Sequence, residues 1–177
     1  MKDIEKKLWE SANSLRKNID AAEYKHVVLG LVFLKYISDK FEYTRDELLK
    51  GETVAGSVSP DELEDRDLYI MNNAFYVPEV ARWGYLKDNA KSPEIGLIID
   101  AAMDAIEADN KKQLKGVLPK VYAKENLDKA SLGGLVDIIS TIELVDQTQS
   151  SDILGHVFEY FLGQFAGAEG KRGGEFY

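Results

Sequence analysis

The chain has 177 residues, 45% of them hydrophobic and 30% charged, which suits one globular core or one domain with a fragment of a second. It has no cysteine, which excludes disulfides and thiolate metal sites, and its two histidines, His26 and His156, lie too far apart in sequence to suggest a zinc site. Thirty-one acidic against 22 basic side chains give a formal net charge of −9, which argues against gripping nucleic acid by bulk electrostatics. Met1-Lys2-Asp3 leads straight into an amphipathic pattern with no signal peptide, and the longest apolar run, residues 27–34, is far too short to span a bilayer. The expected setting is the cytoplasm, with no membrane partner.

Helical periodicity dominates the chain. Ile4, Leu8, Ala12, Leu15 and Ile19 form one stripe. Asp20-Ala21-Ala22-Glu23 has capping-box spacing and starts a second helix reaching about Phe41 or beyond. From Val27 to Ile37 that helix is apolar nearly all round, so it is expected to be the enclosed central helix of the core. Residues 51–59 read as a loop, and Ser59-Pro60-Asp61-Glu62 starts a helix to about Asn73. Phe75-Tyr76-Val77-Pro78 is expected to be extended, followed by a short turn of helix to Trp83. Phe75, Tyr76, Trp83 and Tyr85 are expected to form a satellite aromatic cluster.

Ser92-Pro93-Glu94 starts a helix with Ile95, Ile98, Ile99, Ala102 and Ile106 on its apolar side. Residues 110–130 are polar and lysine-rich, anchored by Val117, Leu118, Val121 and Tyr122. Ser131 is expected to cap a helix to about Glu143 that buries Leu132, Leu135, Val136 and Ile139. After a polar connector, a last helix from about Asp152 to Ala168 carries a wide, half-aromatic stripe. The fold class is therefore all-α, a helical bundle, with one small β-hairpin near residues 75–86 as the sole candidate for strand.

The charge is unevenly spread. Residues 51–110 hold 13 acidic and 4 basic side chains, whereas residues 111–129 hold 6 basic and 2 acidic ones. Lys111, Lys112, Lys115, Lys120 and Lys124 are read first as a solvated face and, more sharply, as an edge that meets DNA phosphates or an acidic partner surface. No nucleophile elbow, phosphate loop or metal-spaced cluster is present, so no catalytic residue is nominated. His26 and His156 are assigned structural roles. The ending, Lys171-Arg172-Gly173-Gly174-Glu175-Phe176-Tyr177, is unlike the rest: two glycines free the backbone for close approach and two aromatics offer a ring face. On composition alone it reads equally as a frayed glycine tail.

The run from Ile153 to Ala166 (Ile-Leu-Gly-His-Val-Phe-Glu-Tyr-Phe-Leu-Gly-Gln-Phe-Ala), followed by Gly173-Gly174-Glu175-Phe176-Tyr177, closely resembles the modification subunit of type I restriction-modification systems. Leu8-Trp9 and the segment Tyr24 to Ser38 resemble that family's helical N-terminal domain, so the likeness covers essentially the whole chain. The resemblance implies an S-adenosylmethionine-dependent N6-adenine DNA methyltransferase, working as two modification subunits with one specificity subunit and a restriction subunit on double-stranded DNA. It implies residues 1–150 as a helical domain for subunit assembly and closure around DNA. Residues 151–177 then hold the connecting helix and first turn of the cofactor domain. Gly173, Gly174, Glu175, Phe176 and Tyr177 match the turn that first contacts S-adenosylmethionine. The sequence stops before the Thr-Pro of that turn and the Asn-Pro-Pro-aromatic motif that holds a flipped adenine, so these 177 residues alone are expected to be inactive. A stand-alone helical interaction module without cofactor or DNA, and a solitary adenine methyltransferase, are the alternatives.

Overall fold

The computed structural model describes residues 6, 13, 21–51 and 58–142. The helix expected around residues 152–168 lies outside them, as does that around residues 4–19 except for residues 6 and 13. Helix α1 runs from Ala21 to Lys50, which at ~1.5 Å per residue makes it about 45 Å long. Its apolar stretch is enclosed on most sides: no residue from 27 to 41 is exposed, but Leu29, Phe33 and Tyr36 form one partly buried stripe. Tyr24, Val27, Val28, Leu31, Val32, Leu34, Ile37, Phe41 and Leu48 are all fully or almost fully buried. Each such aliphatic side chain stabilises the fold by roughly 1.5–3 kcal/mol, so this helix organises the rest.

The remaining elements wrap it. Helices α2 (Arg66–Met71), α3 (Trp83–Asp88), α4 (Ile95–Asp109), α5 (Lys111–Leu114) and α6 (Lys129–Ser140) follow in order. Turns of 3-10 helix lie at Pro60–Glu64 and Glu79–Ala81. α3 and α6 pack on α1 and on each other, and α4 packs on α6 and the 79–81 turn. Ile95, Ile99, Ala102, Met103 and Ile106 of α4 are buried, as are Leu132, Leu135, Val136 and Ile139 of α6.

Two side chains fasten the layers. The Trp83 backbone N–H donates to Ser38 Oγ on α1 (2.8 Å), and Trp83 Nε1 donates to Ser140 Oγ on α6 (2.7 Å). One residue thereby ties three helices. Tyr122, in the loop before α6, is fully buried, and its hydroxyl donates to the Val27 carbonyl (2.8 Å) across Gly30. A Cβ at Gly30 would fall 2.3 Å from that hydroxyl oxygen, so only glycine admits the tyrosine there. Burial pushes the Tyr122 phenol well above its usual range and keeps it a neutral donor. On α4, Asp100 accepts from the N–H groups of Tyr122 (3.0 Å) and Ala123 (3.1 Å), which holds the loop from its other side.

Four local expectations are corrected. Residues 75–86 form no hairpin: Tyr76 O accepts from Asn110 Nδ2 and Val77 O from Arg82 Nε, both at 3.0 Å, so side chains take carbonyls a partner strand would have used. No strand occurs among the described residues. The helix expected over residues 60–73 breaks at Asp65, whose ψ of 113° is extended; Asp65 Oδ1 accepts from the Asp67 N–H (3.0 Å) and restarts the chain as α2. The helical turn does start after Ser59, whose hydroxyl donates to the Glu62 carboxylate at 3.0 Å. Asp128, not Ser131, caps α6, its carboxylate accepting from Ser131 N (2.8 Å) and Oγ (2.7 Å).

The satellite aromatic cluster is not a separate body. Tyr76 joins Phe41 and Tyr69 in the main core, with ring centroids 4.8–5.6 Å apart, while Tyr85 is 44% exposed. Tyr69, pushed up to about 12 by burial, donates its hydroxyl to the Leu63 carbonyl at 2.8 Å.

The contact between α6 and the 88–91 turn gives a paired test. A Cβ on Gly133 would stand 2.0 Å from the Ala90 carbonyl oxygen, whereas one on the adjacent Gly134 meets nothing within 4 Å. Gly133→Ala is expected to cost about 1–3 kcal/mol through overpacking, and Gly134→Ala to add up to ~1 kcal/mol of helix propensity. Thermal denaturation of the two single variants should show midpoints moving in opposite directions.

Candidate functional site

The lysine-rich segment between α4 and α6 holds all five lysines singled out in the sequence, and the fold divides them. Buried Asn110 makes the bend from α4 into α5, its Nδ2 donating to Ile106 O (2.8 Å) and Tyr76 O (3.0 Å). Leu114 and Leu118 are buried and pin the far side of the turn; Val117, expected to anchor it too, is instead 56% exposed, and Val121 is half-buried. Gly116 takes φ +73°, the left-handed region that favours glycine, and its N–H donates to Glu107 Oε2 at 2.7 Å. The backbone of residues 110–118 is thus fixed to the core at both ends.

Lys120 sits between Asp104 (2.8 Å) and Glu107 (2.7 Å) on the last turns of α4. The hydrogen bonds to Asp104 and Glu107 raise the Lys120 ammonium well above the usual lysine range. In return the hydrogen bond from Lys120, and then that from the Gly116 N–H, lower the Glu107 carboxyl. Lys124 lies 3.6 Å from Glu23 at the start of α1. These two lysines make their ion pairs within the fold. Lys111, Lys112 and Lys115 are exposed and make no side-chain ion pair or hydrogen bond among the described residues.

Lys129 and Lys35, near α6, are satisfied internally. Lys129 donates to the carbonyls of Lys124 (2.6 Å), Leu127 (2.9 Å) and Tyr122 (3.3 Å). Lys35, buried on α1, pairs with Asp39 one turn on. Of the cations lining two open grooves beside α6, Lys129 in one and Lys35 in the other therefore have partners of their own, while Lys91 in the first is exposed. His26 is exposed on α1, and His156 lies outside the described residues. No group of three or more histidines and carboxylates converges among the described residues, and no helix there is long and apolar enough to cross a membrane.

The intended cofactor residues, Gly173, Gly174, Glu175, Phe176 and Tyr177, also lie outside the described residues. Sequence reasoning missed Asp104, Glu107 and Glu23 as the groups that divide the lysines. The i, i+3 spacing of Asp104 and Glu107 puts them on one helical face, which is a usable signal. Their pairing with Lys120 depends on the turn at Gly116.

These features define an all-helical scaffold domain whose distinctive described surface is a rigid turn with three exposed lysines that make no hydrogen bond or ion pair among the described residues. A family model of the HsdM N-terminal domain matches residues 4–141, and one of N-6 DNA methylase matches residues 149–177. The chain belongs to the HsdM N-terminal domain family. It is 37% identical, over 99% of its own length and 33% of the relative's, to the type I restriction enzyme MjaIX methylase subunit of Methanocaldococcus jannaschii. It is also 37% identical to the HindI methylase subunit of Haemophilus influenzae, over 57% of this chain and 27% of that one. The crystal structure of the type I restriction-modification system methyltransferase subunit from Streptococcus thermophilus shares the fold, with a TM-score of 0.66 and 24% identity over 93% of this chain and 39% of that chain. The chain spans about a third of the length of the curated relatives it matches.

The Lys120–Glu107 bridge makes a pH-dependent prediction. A carboxylate whose folded pKa is depressed stabilises the fold above its unfolded value and loses that contribution as pH falls through the folded one. Lys120→Gln is therefore expected to be less stable than the parent near neutral pH, with the gap closing on acidification below about pH 4, where the carboxylates protonate. Urea denaturation at neutral and acid pH measures the gap; one that widens on acidification would contradict the bridge.

Proposed function

We propose that this chain is the N-terminal part of the modification subunit of a type I restriction-modification system, a site-specific N6-adenine DNA methyltransferase that uses S-adenosylmethionine. The observation that carries the reading is the 37% identity running through 99% of the chain to a relative named as a type I methylase subunit. Residues 1–150 form a helical domain that mediates subunit assembly and closure around DNA and performs no chemistry itself. Residues 151–177 begin the methyltransferase domain. The partners are a specificity subunit, a second modification subunit and a restriction subunit, acting on double-stranded DNA in the cytoplasm.

An enclosed core suits this role. α1 is surrounded by α3, α6 and the Tyr122 loop, so the domain can transmit position between partners as a stiff body. Gly173, Gly174, Glu175, Phe176 and Tyr177 supply the first turn of the cofactor site, with the glycines allowing close backbone approach and the aromatic pair lying near the adenosyl ring.

Two measurements test the proposal on the full-length protein. Co-expressed with its specificity subunit, it is expected to transfer labelled methyl groups from S-adenosylmethionine to adenine N6 in DNA. Absence of N6-methyladenine from DNA recovered from such cells would overturn the reading and leave a helical interaction module in its place. Replacing both aromatics, Phe176→Ala with Tyr177→Ala, is expected to raise the Kd for S-adenosylmethionine about tenfold, some 1.4 kcal/mol, as checked by calorimetry.

A further inference from the structure

We infer that Lys111, Lys112 and Lys115 form a DNA-phosphate contact, and that Lys120 and Lys124 take no part in it. The inference rests on the reading of the chain as part of a DNA methyltransferase and deepens it. It begins with the carboxylates around the turn. Asp109 is held by Arg66, whose Nη2 lies 2.7 Å from Oδ1 and whose Nε donates to the same oxygen at 2.9 Å. Glu107 accepts from Lys120 and from the Gly116 N–H, both at 2.7 Å, and Asp104 holds Lys120 from its other side at 2.8 Å. Every acidic group at the end of α4 thus has an internal donor. Three lysines within five residues are left with no hydrogen bond or ion pair among the described residues, Lys115 sharing only the longer-range attraction of Glu107.

Their placement suits a phosphate backbone. The Lys115 N–H donates to the Lys111 carbonyl (3.3 Å), so these residues stand one helical turn apart, roughly 5–6 Å, with Lys112 beside them. Residues 110–118 cannot swing away, because Asn110, Leu114 and Leu118 are buried and Gly116 is tied to Glu107. A fixed backbone with free lysine stems suits a strand that offers one charge every ~3.4 Å of helix axis, because point-charge ammonium groups need no exact register with it. The chain's net charge of −9 disfavours DNA by bulk electrostatics and leaves its approach to local clusters of cations such as this turn.

The test uses the full-length protein in the complex with which it copurifies. The triple variant Lys111→Gln, Lys112→Gln, Lys115→Gln is expected to bind DNA more weakly, by the same factor for specific and nonspecific duplexes. The slope of log K against log salt should become shallower by about 2–3, near 0.9 per phosphate lost. The charge-preserving triple replacement by arginine should restore the slope, and Lys120→Gln with Lys124→Gln should leave it unchanged while lowering the thermal midpoint. An unchanged slope for the glutamine variant overturns the inference. Failure of the variant to join the complex, with the slope of any assembled fraction intact, assigns the turn to a protein partner and overturns it too. A parent complex that neither binds nor methylates DNA sinks the underlying reading instead, which separates the two failures.

Discussion

Enclosure of α1 is the constraint on which the other elements depend. Buried side chains cover most of the circumference of residues 27–38, leaving only the stripe of Leu29, Phe33 and Tyr36 partly exposed, so neighbours must approach the helix from most directions. Trp83 and Tyr122 set two of those approaches by hydrogen bonds to α1, one to a serine hydroxyl and one to a backbone carbonyl. Gly30 matters for the same reason: its missing Cβ leaves the volume the Tyr122 hydroxyl and the Pro119 ring occupy. The loop from 119 to 127 belongs to the core through these contacts, although its composition is that of a surface connection.

Anchoring of that loop also decides the electrostatics. Once Tyr122 is seated on α1 and Asp100 holds its backbone, Lys120 falls between Asp104 and Glu107, and Lys124 falls near Glu23. Lys111, Lys112 and Lys115 precede the Gly116 turn and are carried to solvent. A run of lysines that looks uniform in sequence therefore separates into a structural pair and a free group of three.

This division of labour agrees with a domain that positions partners. The described residues put their polar chemistry into capping, bracing and loop anchoring: Asp65 and Asp128 start helices, Asp100 and Asn110 hold turns, and Ser38 and Ser140 hold Trp83. In the proposed methyltransferase the chemistry belongs to the part that begins near residue 151, and the helical domain contributes stiffness and a charged contact.

Periodicity and composition determined much of this protein. The enclosure of residues 27–37, the apolar faces of α4 and α6, and the all-α class follow from side-chain spacing at 3.6 residues per turn, a local property. The family was legible from the Tyr24–Ser38 and Ile153–Tyr177 segments together. The three-dimensional structure alone decided the break at Asp65, the absence of a hairpin near 75–86, the union of Tyr76 with Phe41 and Tyr69, and the fate of each lysine. Apart from the break at Asp65, which a local cap sets, these turn on partners distant in the chain, such as Asn110 for the Tyr76 carbonyl or Glu107 for Lys120. A hydrogen bond or ion pair over such separations exists only once the core has brought its two ends together.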